Sequence, residues 1–437
     1  GQMPRMSSEL HPTIYAINFG TSNSLLAAAS AEATCPPIPL DDEASDPTVL
    51  RSVLFFDGAQ RYSCGSRAIG DFVGNGMQGR LIRSIKKYLP DRSFSGTQIG
   101  HRTLAIEDLI GRFLRSMRER ADRHFGVAVD RVLLGRPARF SGEPGDDRLA
   151  QERLERAAKI AGFREVAFCP EPVAAAHDIR LAEERPTLVL VADFGGGTSD
   201  FTVVRMQGRT LAPSGVLALG GVSIAGDVLD GCLMRSKIAR HFGAEVTYRV
   251  PMGSNVLTMP KPNIEKLCSP ADMTTLQHRD VLSFLRDVRA WSLGPEDRQC
   301  MEQLLCLVED ALAFRVFDAI EHSKCELSGS TEVTLQFEYP GVQIREDIAR
   351  SEFEAACERA IGAIVRALDQ TVAAAGVSFE DIDVVCCTGG TARVPRIAEA
   401  LQQRFGEGKV QRLRSFHSVV QGLAERARQL AAGVGVH

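Results

Sequence analysis

The chain has 437 residues, 44% of them hydrophobic. That is ample for a buried core and exceeds the ~100–200 residues of one compact domain, so two domains are expected. A formal net charge of -4 gives no basic footprint for nucleic acid, and no apolar run approaches the ~20 residues that cross a bilayer.

The longest apolar run, Thr187 to Ala192, is short and ends in an acid. Gly1 to Pro12 carries no basic-then-apolar leader pattern. A soluble, cytoplasmic protein with neither a membrane nor a nucleic-acid partner is expected. The eleven cysteines form no C-x-x-C pair, and Cys169, Cys232, Cys306, Cys357, Cys386 and Cys387 sit in apolar patterns. They read as buried free thiols of a reducing compartment rather than as metal ligands.

Strands are expected at Thr13–Asn18, Ser24–Ala29, Arg131–Gly135, Thr187–Asp193, Phe201–Met206 and Ile382–Thr388, each an apolar or β-branched run bounded by Gly, Asp or Pro. Helices alternate with them. Ile106, Leu109, Ile110, Phe113, Leu114 and Met117 recur at helical spacing, and Leu149 to Ala161 forms a second helix stopped by Gly162. Five prolines between residues 250 and 300 predict an irregular, partly helical insertion. Phe353, Cys357, Ala360, Ile361, Ile364 and Leu368 mark a long amphipathic helix, opened by a capping box of Ser351 with Glu354 and closed at Gly376. Val394, Ile397 and Leu401 mark another, started by Pro395 and ended near Gly406. Interleaving of this kind predicts an α/β architecture.

An internal echo carries the chemistry. Asn18-Phe19-Gly20-Thr21-Ser22-Asn23-Ser24 and Asp193-Phe194-Gly195-Gly196-Gly197-Thr198-Ser199-Asp200 each lie between two strands, which suggests duplicated halves. A tight turn of Gly with Thr or Ser presents several backbone N–H groups to an anion, and glycine lets the chain approach phosphate without a Cβ. A carboxylate ending the strand, as at Asp193, suits a hydrated Mg²⁺. Taken alone, either turn could be an ordinary hairpin. A third segment, Thr388-Gly389-Gly390-Thr391-Ala392-Arg393, would let a flat ring or ribose lie on Gly389 and Gly390 while Arg393 stacks on a base. No G-x-G-x-x-G or G-x-x-x-x-G-K-[ST] loop is present.

In this order, with Glu171-Pro172-Val173-Ala174-Ala175-Ala176 between the first two segments and Glu321, Lys324 and Ser328 before the third, the motifs resemble the ATPase domain of DnaK-type heat-shock-70 chaperones. That domain is part of the actin-like ATPase superfamily. The resemblance runs from about residue 13 to 430 and extends to the YegD-like lid-less branch. It implies an α/β, duplicated ribonuclease H-like fold with two lobes flanking a nucleotide cleft. Lobe I would span 13–185, with a subdomain inserted at about 50–110 and a C-terminal helix, 412–432, packing back on it. Lobe II would span 186–411, with a subdomain inserted at about 226–345, and no substrate-binding domain would follow.

The resemblance also implies roles. ATP or ADP with Mg²⁺ would be the cofactor. Asn18, Gly20, Thr21, Ser22, Asn23, Gly195, Gly196, Gly197 and Thr198 would hold phosphates. Asp193 and Glu171 would hold Mg²⁺ through water, and Asp200, with Thr198, would orient the attacking water. Glu321, Lys324, Ser328, Gly389, Gly390, Thr391 and Arg393 would cradle the nucleoside, although Glu321 and Lys324 alone read equally as a surface i,i+3 ion pair. Slow Mg-dependent ATP hydrolysis, coupled to lobe closure, would be read by an unidentified client or co-chaperone.

Three departures bear on that picture. Asn18 stands where the family places an aspartate. The lysine expected in lobe I has no clear position: register points near Arg67 to Ile69, and Lys86 and Lys87 are expected on a surface segment. Cys325 stands where chaperones carry an arginine that stacks on adenine. Whether the chain turns ATP over therefore stays open. A nucleotide-binding module with negligible hydrolysis that acts as a partner-binding switch, a small-molecule kinase of the same superfold and a filament protein are the alternatives.

Overall fold

The computed structural model describes residues 10–57, 61–75, 78–137, 139–141, 143–176, 185–207, 210–412 and 417–434. The chain divides into two compact units. The first comprises Gly1–Gly221, Ala367–Gly389 and Leu401–His437; the second comprises Val222–Arg366 and Gly390–Ala400.

Two sheets of the same design are the largest in the first unit, which also holds a three-stranded sheet of Val53–Phe56, Tyr62–Cys64 and Arg80–Arg83 and the hairpin Gly96–Ile99 with Arg102–Ala105. In one, the hairpin Ile14–Phe19 with Asn23–Ala29 is antiparallel, and Arg131–Arg136 and then Glu165–Pro170 add in parallel on the side of the first strand. In the other, Thr187–Phe194 with Ser199–Gln207 is the antiparallel hairpin, and Val384–Thr388 and then Val410–Arg412 add in parallel. Thr34–Cys35 lies beyond the first hairpin and Thr210–Val222 beyond the second. The strand order thus repeats across both sheets, in the duplicated ribonuclease H-like arrangement expected of an actin-like ATPase. The six expected strands are all present, with ends that differ by up to two residues.

The central strands are buried on both faces, as Ile14–Phe19 shows with six buried residues in a row; such strands read as apolar runs rather than alternating ones. Tyr15, Ile17 and Phe19 pack into a core with the helices Ile106–Phe125 and Pro144–Ile160. Ile14 and Ala16 face the other way. They join Val189, Val191, Val204 and Cys386 of the second sheet and Val419, Val420 and Leu423 of the helix His417–Ala431 in a second core. Helix ends follow local chemistry. Gly126 takes φ 69° to end Ile106–Phe125, and Pro144 opens the next helix at a position where its missing N–H costs nothing.

The second unit is mainly helical. The proline-bearing insertion holds the helices Lys261–Leu267, Arg279–Trp291 and Pro295–Glu309. It is more regular than its composition suggested, because Pro262 and Pro295 occupy first turns of helices. The long helix runs from Arg350 to Ala374 and ends before Gly376 at φ 70°. Its expected capping box is displaced. The helix begins before Ser351, so Glu352 takes the third helical position and accepts the Ala349 N–H at 2.9 Å, while Glu354 pairs with Arg396 at 3.6 Å. The antiparallel hairpin Glu332–Tyr339 with Val342–Ala349 was not among the expected strands. Among the described residues no helix is long and apolar enough to cross a membrane.

Candidate functional site

The two echoed turns have the same closure. The Gly20 N–H donates to the Asn23 carbonyl at 3.0 Å, and the Gly195 N–H donates to the Thr198 carbonyl at 2.9 Å. In this register Asn18 matches Asp193, Thr21 and Ser22 match Gly196 and Gly197, and Leu25 matches Asp200. The first turn is the tighter: a Cβ on Gly20 would lie 2.2 Å from the Asn23 carbonyl oxygen, against 3.5 Å for the nearest atom to a Cβ on Gly195. Ser52 braces the first turn from behind. Its hydroxyl donates to the Gly20 carbonyl at 2.7 Å and contacts the Ser24 hydroxyl at 2.8 Å, and its N–H donates to the Ser22 carbonyl at 2.9 Å.

At the carboxyl ends of the parallel strands, where open α/β sheets place ligands, the structure collects charge. Glu171 follows directly on the strand Glu165–Pro170, and Asp193 sits next to the end of Thr187–Phe194. Lys86 donates to Glu171 Oε1 at 2.9 Å, with both side chains about 10% exposed. This overturns the expectation that Lys86 lies on a surface segment; Lys87 alone is exposed. The cause is local. Ser84 adopts a left-handed conformation (φ 53°), and the short 3-10 turn Ile85–Tyr88 then buries Ile85, Lys86 and Leu89. Nothing in the residue types of that turn signals it. Arg67, near the register first considered, instead pairs along its own helix with Asp71 at 3.7 Å, with most of its side chain exposed.

The carboxylates sense one another. Burial, and then the Glu171 charge, push Asp193 above the usual carboxylate range, although Thr388 Oγ1 donates to its Oδ1 at 2.6 Å and Lys86 opposes the shift. Burial pushes Asp200 up to about 7; Asp193 and Glu171 add to the rise, while the Thr198 hydroxyl (2.7 Å) and Lys86 oppose it. Three acids thus share one ammonium, and the fully ionised cluster carries an excess of two negative charges. Such a site fits a divalent cation. Among the described residues no three His, Cys, Asp or Glu stand close enough to hold a metal ion directly. Asn18 is 8% exposed and, with Ile14 and Ala16, occupies the strand face that Val189, Val191 and Asp193 occupy in the second sheet. It contributes no charge.

The third segment meets the second turn. Gly389 has φ 92°, and a Cβ there would lie 1.8 Å from the Phe194 carbonyl oxygen, so only glycine permits this approach. Within the second unit, Gly390–Arg393 forms a 3-10 turn with Thr391 and Ala392 buried and Arg393 exposed. Lys324 pairs with Asp230 at 2.7 Å and donates to the Gly226 carbonyl at 3.3 Å. It therefore does not form the i,i+3 surface pair with Glu321 that spacing alone allowed. Burial works against its charge, but the Asp230 carboxylate holds Lys324 protonated above its ordinary value. Glu321 and Cys325 are exposed and Ser328 is half-buried. Lys86 and Asp230 are the residues that sequence reasoning missed.

A protein-family model described as Hsp70 protein matches residues 83–245 and 305–435. The chain is similar to a protein named "Chaperone protein DnaK" from Halobacterium salinarum (strain ATCC 29341 / DSM 671 / R1), at 26% identity over 428 residues, 96% of this chain and 56% of the relative. It is also similar to one of the same name from Thermosipho melanesiensis, at 22% identity over 436 residues, 97% of this chain and 60% of the relative. The chain therefore spans little more than half the length of these relatives.

Proposed function

Because the chain belongs to the Hsp70 protein family, we propose that it is an ATP-binding, chaperone-like protein with slow Mg-dependent hydrolysis of ATP. The observation that carries this reading is the cluster of buried Lys86 and Glu171 with half-buried Asp193 and Asp200, beside two turns of identical closure. Gly20, Thr21, Ser22, Asn23, Gly195, Gly196, Gly197 and Thr198 bind phosphates through backbone N–H groups and hydroxyls. Asp193 and Glu171 hold Mg²⁺ through its water shell, and the ion supplies neutralisation of phosphate charge. Asp200, poised near neutrality, orients the attacking water and takes its proton. Lys86 holds the Glu171 carboxylate in place through their 2.9 Å ion pair. The nucleoside is assigned to Glu321, Lys324, Ser328, Gly389, Gly390, Thr391 and Arg393; because Lys324 is committed to Asp230, it acts there by fixing its helix.

Titration of Mg-ATP and Mg-ADP by calorimetry, with phosphate release followed in parallel, tests the reading. Binding of both with slow release supports it. Release that requires an added sugar or acid would reveal a kinase instead, and absence of binding would remove the reading altogether. The second reading, a nucleotide-binding switch with negligible hydrolysis, rests on Asn18, since the first hairpin brings no carboxylate to the cluster. Binding without release would select it. The partner that reads the nucleotide state, a client or a co-chaperone, belongs to the same proposal.

A further inference from the structure

Lys86 sits in a 3-10 turn, Ile85–Tyr88, that Ser84 enters at φ 53°. So short a turn has little stability of its own, yet a lysine on a flexible stem reaches a fixed carboxylate reliably only if its backbone is fixed. One side chain gathers the end of this turn. Arg153 Nη1 donates to the Tyr88 carbonyl at 3.2 Å, to the Leu89 carbonyl at 3.0 Å and to the Asp91 carbonyl at 2.9 Å. The Tyr88 and Asp91 carbonyls also accept the N–H groups of Asp91 and Phe94, at 3.1 and 3.2 Å, so the guanidinium knits two successive turns together.

Arg153 is 6% exposed and forms no ion pair among the described residues. A guanidinium has donors only, and a buried one persists only where acceptors meet it; here they are backbone carbonyls of the segment that carries Lys86. The placement of Arg153 adds to this. It lies on the helix Pro144–Ile160, and the strand that follows, Glu165–Pro170, ends at Glu171. One helix–strand segment therefore carries Glu171 and, through Arg153, grips the turn that brings Lys86 to within 2.9 Å of it. The other tie between the two segments is Arg92 with Asp146, where most of the Arg92 side chain is exposed; such a pair contributes little.

We propose that Arg153 is the positioning residue for Lys86: by holding three carbonyls on one guanidinium nitrogen it fixes the turn Ile85–Tyr88 where the Lys86 ammonium meets Glu171. The consequence for hydrolysis rests on the function proposed above; the positioning itself does not. A buried arginine that merely supports the fold would loosen the whole unit when removed, whereas a positioning residue acts through Lys86.

The test compares the full-length parent with Arg153→Met and Arg153→Lys. Amines are labelled with a trace of acetic anhydride at mildly alkaline pH, thiols in parallel with iodoacetamide, and peptides are mapped by mass spectrometry. In Arg153→Met, Lys86 should react on the order of tenfold faster than in the parent, about the loss of one charge-assisted hydrogen bond, while Cys169 stays slow. Cys169 is buried on the strand that ends at Glu171, so general loosening would expose it too. Arg153→Lys keeps the charge and a donor nitrogen on a side chain one bond shorter, and Lys86 should react at an intermediate rate. An unchanged Lys86 rate in Arg153→Met overturns the proposal, as does a rise shared by Lys86 and Cys169. Should Arg153→Met not fold, a Lys86 rate in Arg153→Lys equal to the parent's overturns it as well. Phosphate release reads the consequence. Arg153→Met should lower kcat roughly ten- to a hundredfold with the Kd for Mg-ADP little changed, and adding it to Lys86→Met should lower release no further; additive losses overturn the proposal. A parent chain that releases no phosphate removes the hydrolysis reading instead, and the labelling of Lys86 still decides the role of Arg153.

Discussion

The two hairpins of the first unit share strand order, register and turn closure, yet they divide the work unequally. The second brings Asp193 and Asp200 to the charge cluster; the first has Asn18 and Leu25 in the matching positions. The first is instead the stiffer, with a turn that excludes a Cβ at Gly20 and a brace at Ser52. Duplication fixes where a backbone goes, while side chains at matched positions remain free to diverge. Of the two hairpins, the second accordingly carries the carboxylates and the first the tighter turn.

Lys86 is the one cation that the described structure shows offsetting the acids of the second half, and its loss should have the largest effect. Lys86→Met leaves Glu171 buried without its partner, at a cost of about 3–5 kcal/mol, readable as a lower urea midpoint. An unchanged midpoint would mean that the pair is incidental to folding. Gly20→Ala and Gly195→Ala test the steric half. The first should weaken nucleotide binding by roughly 5- to 150-fold, since about 1–3 kcal/mol of strain falls on the turn; the second should change it little, its Cβ having room. Equal effects would erase the contrast.

Asn18→Asp makes the halves alike. A carboxylate acting through a water should contribute about 1–3 kcal/mol toward a bound divalent charge, so phosphate release should rise by roughly tenfold or more. A flat response would place position 18 away from the metal. The smallest effect concerns pH. The folded chain keeps a proton on Asp200 up to about 7, whereas the unfolded chain loses it in the ordinary carboxylate range. Between those values the folded state binds more protons, so this group's contribution to stability falls as pH rises. The melting temperature of the parent should drop by a few degrees across that window relative to Asp200→Asn, and Mg-nucleotide should restore it above pH 7. Parallel curves for the two proteins would contradict the shift.

Much of this was legible in the sequence. The strands that carry Asn18 and Asp193 are apolar runs closed by polar residues and glycine, and the repeat of aromatic, glycine and hydroxyl marks both turns. Lys86 was not legible, because its burial follows from a left-handed Ser84 and a turn too short for any periodicity. Asp230 was hidden for another reason. Its partner Lys324 belongs to a helix remote in sequence, and only tertiary packing joins them. The hairpin Glu332–Ala349 did alternate clearly between buried and exposed residues along Val342–Ala349; its pattern was available but short and flanked by stronger helical signals.

Ser52 has a thermodynamic consequence. By holding the carbonyls of Gly20 and Ser22 and touching the Ser24 hydroxyl, it fixes the shape of the first turn when the chain folds. The ordering entropy of those residues is then spent before any ligand arrives. An anion arriving at this turn meets a rigid template, and the heat it releases should be offset by little loss of backbone freedom.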